Sequence, residues 1–167
     1  AEIKELRGEH QLRRELKLDD TVRVIDDVQG DTLEIIATFE PGTAAAYGMM
    51  VRRADDGERA VKIRFDGMQM HITGADPTEV FGSEQGTPEL PRPGGDFHVP
   101  FSLLPDEKTL TLRVFIDKCA FELYVNGRAC FSRAIYSPLE DVGVAVFADG
   151  GSAVVKSLDL WTMKPIW

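Results

Sequence analysis

The sequence predicts an all-β domain built as a two-sheet antiparallel β-sandwich. Three observations carry that prediction. Apolar residues recur at every second position, as in 32–40 (TLEIIATFE) and 109–117 (TLTLRVFID). Turn pairs such as Asp56-Gly57, Asp66-Gly67 and Asn126-Gly127 separate the short runs. Helical periodicity is nearly absent. Many short strands punctuated this way pack as two sheets face to face.

Taken in order, the opening is rich in charge. Its leucines, Leu6, Leu12, Leu16 and Leu18, hold no helical stripe. It reads as a lead-in with a helical turn, then a first strand near 14–18. Val22, Val24 and Val28 mark the next extended segment. Residues 32–40 form a strong strand, and 47–53 (YGMMVRR) another. Asp55-Asp56-Gly57 is a turn, since Asp bonds its own backbone and Gly accepts positive φ. In 58–65, Val61, Ile63 and Phe65 take one face, with Lys62 and Arg64 on the other; 68–73 then completes an antiparallel meander. Residues 74–96 hold Pro77, Pro88, Pro91 and Pro93 and read as a long surface loop.

The last third is the most regular. Residues 121–125 and 128–133 flank Asn126-Gly127, a strong two-residue hairpin signal. That turn sets Val125 opposite Arg128, Leu123 opposite Cys130 and Glu122 opposite Phe131. Phe121, Leu123, Val125 and Cys130 then share the core face, and Glu122, Tyr124, Phe131 and Arg133 the other. Residues 142–148 and 153–161 are two further strands, joined by Asp149-Gly150-Gly151. Along an extended strand Cys119 and Cys130 stand about 13 Å apart, beyond the ~7 Å reach of a disulfide, so both are expected reduced.

The chain has 167 residues and a net charge of −9. This length suits one domain with a sizeable core. An acidic chain lacks the basic footprint of a nucleic-acid binder, and no apolar run approaches a membrane span, so neither partner is expected. The first residues are charged and do not read as a signal peptide. Sparse cysteine leaves both a cytoplasmic and a secreted setting open.

No nucleophile elbow, phosphate loop, dinucleotide fingerprint or zinc-protease motif occurs. No metal or cofactor is expected. His10, His71 and His98 lack ligand-spaced neighbours and read as surface or satisfied core residues; Asp55-Asp56-Gly57-Glu58 lacks the alternating oxygens of a calcium loop. No catalytic residue is assigned. The carboxylates of interest are Asp117 and Glu122 in IDKCAFE, one ending a strand and the other opening the next. They read as structural groups, a turn cap and a cross-strand partner for Arg133 or Arg113, with sugar contact the competing role.

At this hairpin a family resemblance emerges. LRVFIDKCAFELYVNGRACFSRAIY resembles the C-terminal β-sandwich domain of glycoside hydrolase family 32, the invertase, levanase and inulinase enzymes. The matching positions are Leu112, Val114, Phe115, Ile116, Asp117, Cys119, Phe121, Glu122, Tyr124, Asn126 and Gly127. Phe121 stands where Val is usual, and the Asn-Gly turn is shorter. LDLWTMKPIW is similar to the family's closing run, with Pro165 in place of Ser. GDTLEIIATFE and YGMMVRRADDGE resemble the domain's early strands, and KELRGEHQ the linker that leaves the catalytic domain.

The resemblance implies a concanavalin-like or lectin-like jelly roll over residues 14–167, preceded by a linker remnant at 1–13. It implies a non-catalytic accessory domain that gives stability, interdomain or oligomer contacts and a shape to the substrate cleft. Its partner would be an N-terminal catalytic β-propeller, whose W-M-N-D-P-N-G, R-D-P and E-C motifs are absent here, acting on a fructose-containing carbohydrate. Trp161 and Trp167, with Ile166 and the first strand's leucines, are the candidate interface residues. The other reading is a free-standing carbohydrate-binding module, which would draw on Phe81, Phe97, Tyr124, Phe131, Tyr136 and Trp161 for stacking.

Overall fold

The computed structural model describes residues 2–74 and 96–164. Trp167 and nearly all of the proline-rich stretch, including Phe81, lie outside the described residues. A four-residue helix, α1 (Glu2–Glu5), leads into ten strands: β1 (Arg7–Val24), β2 (Thr32–Pro41), β3 (Ala46–Arg53), β4 (Val61–Phe65), β5 (Gln69–Thr73), β6 (Phe97–Pro100), β7 (Leu110–Asp117), β8 (Ala120–Val125), β9 (Ala129–Ala134) and β10 (Gly143–Met163). All pairings are antiparallel, in the order β6-β5-β4-β3-β10-β2-β7-β8-β9, with β1 also on β10.

One strand builds both layers of the sandwich. The first part of β10, up to Asp149, pairs with β3, and its second part, from Ala153, pairs with β2. Between them Gly150 and Gly151 take φ values of 66° and 140°. Strand β1 follows β10 along its length and makes the same corner, with a register shift between Asp19 and Thr21. Layer one is therefore β6-β5-β4-β3 with the first part of β10. Layer two is the second part of β10 with β2-β7-β8-β9.

Alternation supplies the core between them. Leu33, Ile35 and Phe39 of β2 meet Tyr47, Met49 and Val51 of β3 and Ile63 of β4 in one buried cluster. The Phe39 and Tyr47 rings stand 5.6 Å apart across the layers. At the two ends of the strand order, Phe97 of β6 and Phe131 of β9 come within 5.9 Å, which closes that side. Burial of such side chains is worth about 1.5–3 kcal/mol each.

Three sequence expectations are corrected. The first strand starts at Arg7, not near Arg14, because β10 supplies hydrogen bonds to the charged lead-in from Met163 onward. Residues 143–163 form one bent strand, not two. The β8–β9 register differs by one residue: Val125 faces Ala129, Leu123 faces Phe131 and Glu122 faces Ser132.

The register difference arises just after the turn, at Arg128. Asn126 and Gly127 take φ values of 49° and 65°, and the Arg128 amide bonds the Val125 carbonyl at 3.1 Å, the primed turn that Asn-Gly favours. Arg128 is then left out of the pairing. Its guanidinium reaches Glu107 at 2.8 Å and lies 4.2 Å from the Phe101 ring. A one-residue slip exchanges faces. Cys130 is consequently exposed, not in the core, while Phe131 packs against the core and Arg133 lies over Phe97 at 4.8 Å. Both cysteines are free, as expected.

Candidate functional site: the outer face of layer two

Side chains that point away from the core on layer two form two rows running across the strands. Registers place His10, Trp161, Glu34, Phe115, Glu122 and Ser132 in one row. Leu12, Asp159, Ile36, Arg113, Tyr124 and Cys130 form the next. The outer position of a strand is normally wet, yet Glu34 is 0% exposed.

Two guanidiniums cover it. Arg7 donates from Nε at 2.8 Å and from Nη2 at 2.7 Å, one bond to each carboxylate oxygen. Arg113 approaches Oε1 through Nε at 2.9 Å and Nη2 at 2.7 Å. Burial pushes the Glu34 carboxyl up, but the hydrogen bonds from Arg7 and Arg113 outweigh it and hold the pKa below its ordinary value. The hydrogen bond to Glu34 raises Arg7 in turn. A buried carboxylate is tolerable only when paired in this manner.

Aromatic rings finish the cover. The Arg7 guanidinium lies 3.8 Å from the Trp161 ring centre, and His10 stacks on the same indole at 4.5 Å and 5°. His10 Nε2 is 2.8 Å from Asp159. Arg113 lies 4.6 Å from the Phe115 ring centre, and Phe115 meets Tyr124 edge-on at 6.1 Å. Trp161 is thus half-buried, its indole engaged by two cationic or polar side chains.

Asp117 and Glu122 do share this face. Asp117 is exposed at the end of β7, opposite Ala120, two positions from Glu122. Glu122 is half-buried and accepts a hydrogen bond from the Tyr124 hydroxyl at 3.0 Å; that bond raises the phenol's pKa. The expected cations are engaged elsewhere. Arg113 is held by Glu34, and the register turns Arg133 to the inner side.

Sequence reasoning missed Glu34 and Arg7. In TLEIIATFE the glutamate looks like any solvent-facing strand residue, and its partners are 27 and 79 positions away. No short-range signal marks it.

The family model described as "Glycosyl hydrolases family 32 C terminal" matches residues 2–162. The chain is 26% identical over 147 residues to a levanase of Bacillus subtilis (strain 168), across 86% of this chain and 20% of the levanase. It is 36% identical over 61 residues to a raffinose invertase of Escherichia coli, across 36% of this chain and 13% of the invertase. Among solved structures, fructan 1-exohydrolase IIa from Cichorium intybus superposes with a TM-score of 0.76 at 15% identity, covering 98% of this chain and 37% of that one. Exo-inulinase from Aspergillus awamori gives 0.74 at 15%, covering 96% and 30%. The chain spans about a fifth of the levanase's length and little more than a third of the exohydrolase's. With this fold, and a family match over nearly its whole length, the chain belongs to the C-terminal domains of glycosyl hydrolase family 32.

Proposed function

We propose that this chain is the non-catalytic accessory sandwich of a fructan- or sucrose-hydrolysing enzyme, and that it acts by holding a fixed position against an N-terminal catalytic domain. The observation that carries this reading is the Arg7–Glu34–Arg113 lock. Arg7 opens β1, opposite Met163 at the end of β10. The buried carboxylate therefore ties the chain's way into the sandwich to the middle of layer two. A neighbour attached there is held rigidly, which suits stability and the shaping of a substrate cleft. The family's C-terminal description, together with the greater length of the relatives, supports a preceding domain.

The reading as a free-standing carbohydrate-binding module is less well supported. Sugar stacking needs open aromatic faces, and Trp161 and Phe115 already carry guanidinium and imidazole groups. Incubation of the purified chain with sucrose, inulin and levan tests the non-catalytic reading. No sugar release above a buffer blank is expected, and clear turnover would overturn it. Titration with fructose, sucrose and inulin tests the binding-module alternative; saturable binding lost in Trp161→Ala would favour that reading instead.

A further inference from the structure

On the outer face of layer one, β5 and β6 pair in a register that sets His71 directly opposite His98. The two rings meet edge to face at 4.6 Å, and their Nδ1 atoms are 2.7 Å apart. The other nitrogen of His71, Nε2, is 2.6 Å from Asp66 Oδ2. Asp66 also accepts from the Met68 and Gln69 amides at 3.0 and 2.9 Å, so its position is fixed by backbone.

The chemistry of this chain of groups is determined by its ends. A carboxylate accepts only, so His71 presents Nε2–H to Asp66 and keeps a lone pair on Nδ1. His98 then fills the gap with its Nδ1–H. Moving that proton to His98 Nε2 gives the other neutral tautomer and leaves a lone pair on each Nδ1, and a turn of the exposed His98 ring aims both at one ion. A carboxylate behind one imidazole is the arrangement that orients metal-binding histidines.

We infer that His71 and His98 form a two-imidazole chelate for a divalent transition metal ion, with Asp66 positioning His71 and water completing the coordination. Among the described residues no cluster of three ligating side chains exists, so the site is an exchangeable surface chelate and not a buried structural centre. By the Irving–Williams order a pair of imidazole nitrogens holds Cu2+ more tightly than Zn2+. The nearby cation is Arg64, opposite His71 on β4, and it is held 3.4 Å from the same Asp66 oxygen.

The test uses the tag-free chain with CuCl2, NiCl2 and ZnCl2 in isothermal titration calorimetry, with Cu2+ also followed by electron paramagnetic resonance. One Cu2+ or Ni2+ per chain is expected, bound at least tenfold more weakly in His98→Ala. The Cu2+ spectrum is expected to show two imidazole nitrogens in the parent and one in that variant. His10→Ala and the Cys119→Ser/Cys130→Ser double variant are expected to bind like the parent, with circular dichroism confirming that each variant is folded. Binding unchanged in a folded His98→Ala variant, or no saturable binding up to millimolar metal, would overturn the inference.

Discussion

The Asp20 carboxylate accepts a hydrogen bond from the Gly150 amide at 2.8 Å. Asp20 sits in the register shift of β1, with a φ of 43°, and Gly150 sits in the bend of β10. The two strands that cross between layers are thereby fastened to each other at the crossing. Neighbouring Gly151 presses on the β2–β3 connection: a Cβ there would stand 2.6 Å from the Thr43 carbonyl oxygen.

That crossing gives a paired prediction. Gly151→Ala meets both a φ of 140° and backbone contact, and is expected to cost about 2–5 kcal/mol. Gly127→Ala has a φ of 65° and nothing within 4 Å, and is expected to cost about 1–2 kcal/mol for the left-handed backbone alone. Urea unfolding of the two variants measures the difference, and equal losses would contradict the corner geometry.

Glu34→Gln keeps the shape of the side chain but removes the charge that answers two guanidiniums. A loss of about 3–5 kcal/mol is expected, the cost of breaking a buried ion pair from one side. The pH dependence has a definite sign. Glu34 is held below its ordinary value in the folded state, and hydrogen bonds from Met68, His71 and Gln69 outweigh burial to bring Asp66 down to about 2. Both contribute stability that is complete above their unfolded values near ~4 and is lost as pH falls through the lower folded values. Thermal melts between pH 6 and pH 2 are expected to show a shallower decline for Glu34→Gln than for the parent.

Thiol labelling checks the hairpin register. With Cys119 and Cys130 both exposed and unpaired, two equivalents of an aromatic disulfide reagent are expected to react with the native chain. If Cys130 reacted only after denaturation, the pairing of Val125 with Arg128 would be restored and the observed one overturned.

Glu122→Ala is expected to cost about 0.5–1.5 kcal/mol, the worth of one ordinary hydrogen bond, because Tyr124 is its partner and no guanidinium is stranded. A loss above about 3 kcal/mol in chemical denaturation would show that a buried charge depends on it.

The sequence's legibility followed the range of the interactions. Strand β7 was readable because Leu110, Leu112, Val114 and Ile116 alternate without interruption and all are buried. Strand β1 was not, since only Leu16 and Leu18 of its 18 residues are buried apolar side chains, and its strand character comes from β10. The hairpin is legible but its register is not, because Arg128, which stands out of the pairing, is held by Glu107, 21 positions away. The buried Glu34 and the His71–His98 pair were illegible for the same reason. Each is assembled by strand pairing from segments whose spacing carries no pattern.

The pairing of β1 with β10 joins residues 7–24 to residues 145–163. Contacts of that sequence separation form late, since the whole intervening loop must close first. During synthesis the sandwich therefore stays unfinished until its final strand leaves the ribosome, and any domain made ahead of it has time to fold first. A ribosome stalled before residue 143 would hold β1 without its partner strand, and release of β10 would join the two layers in one step.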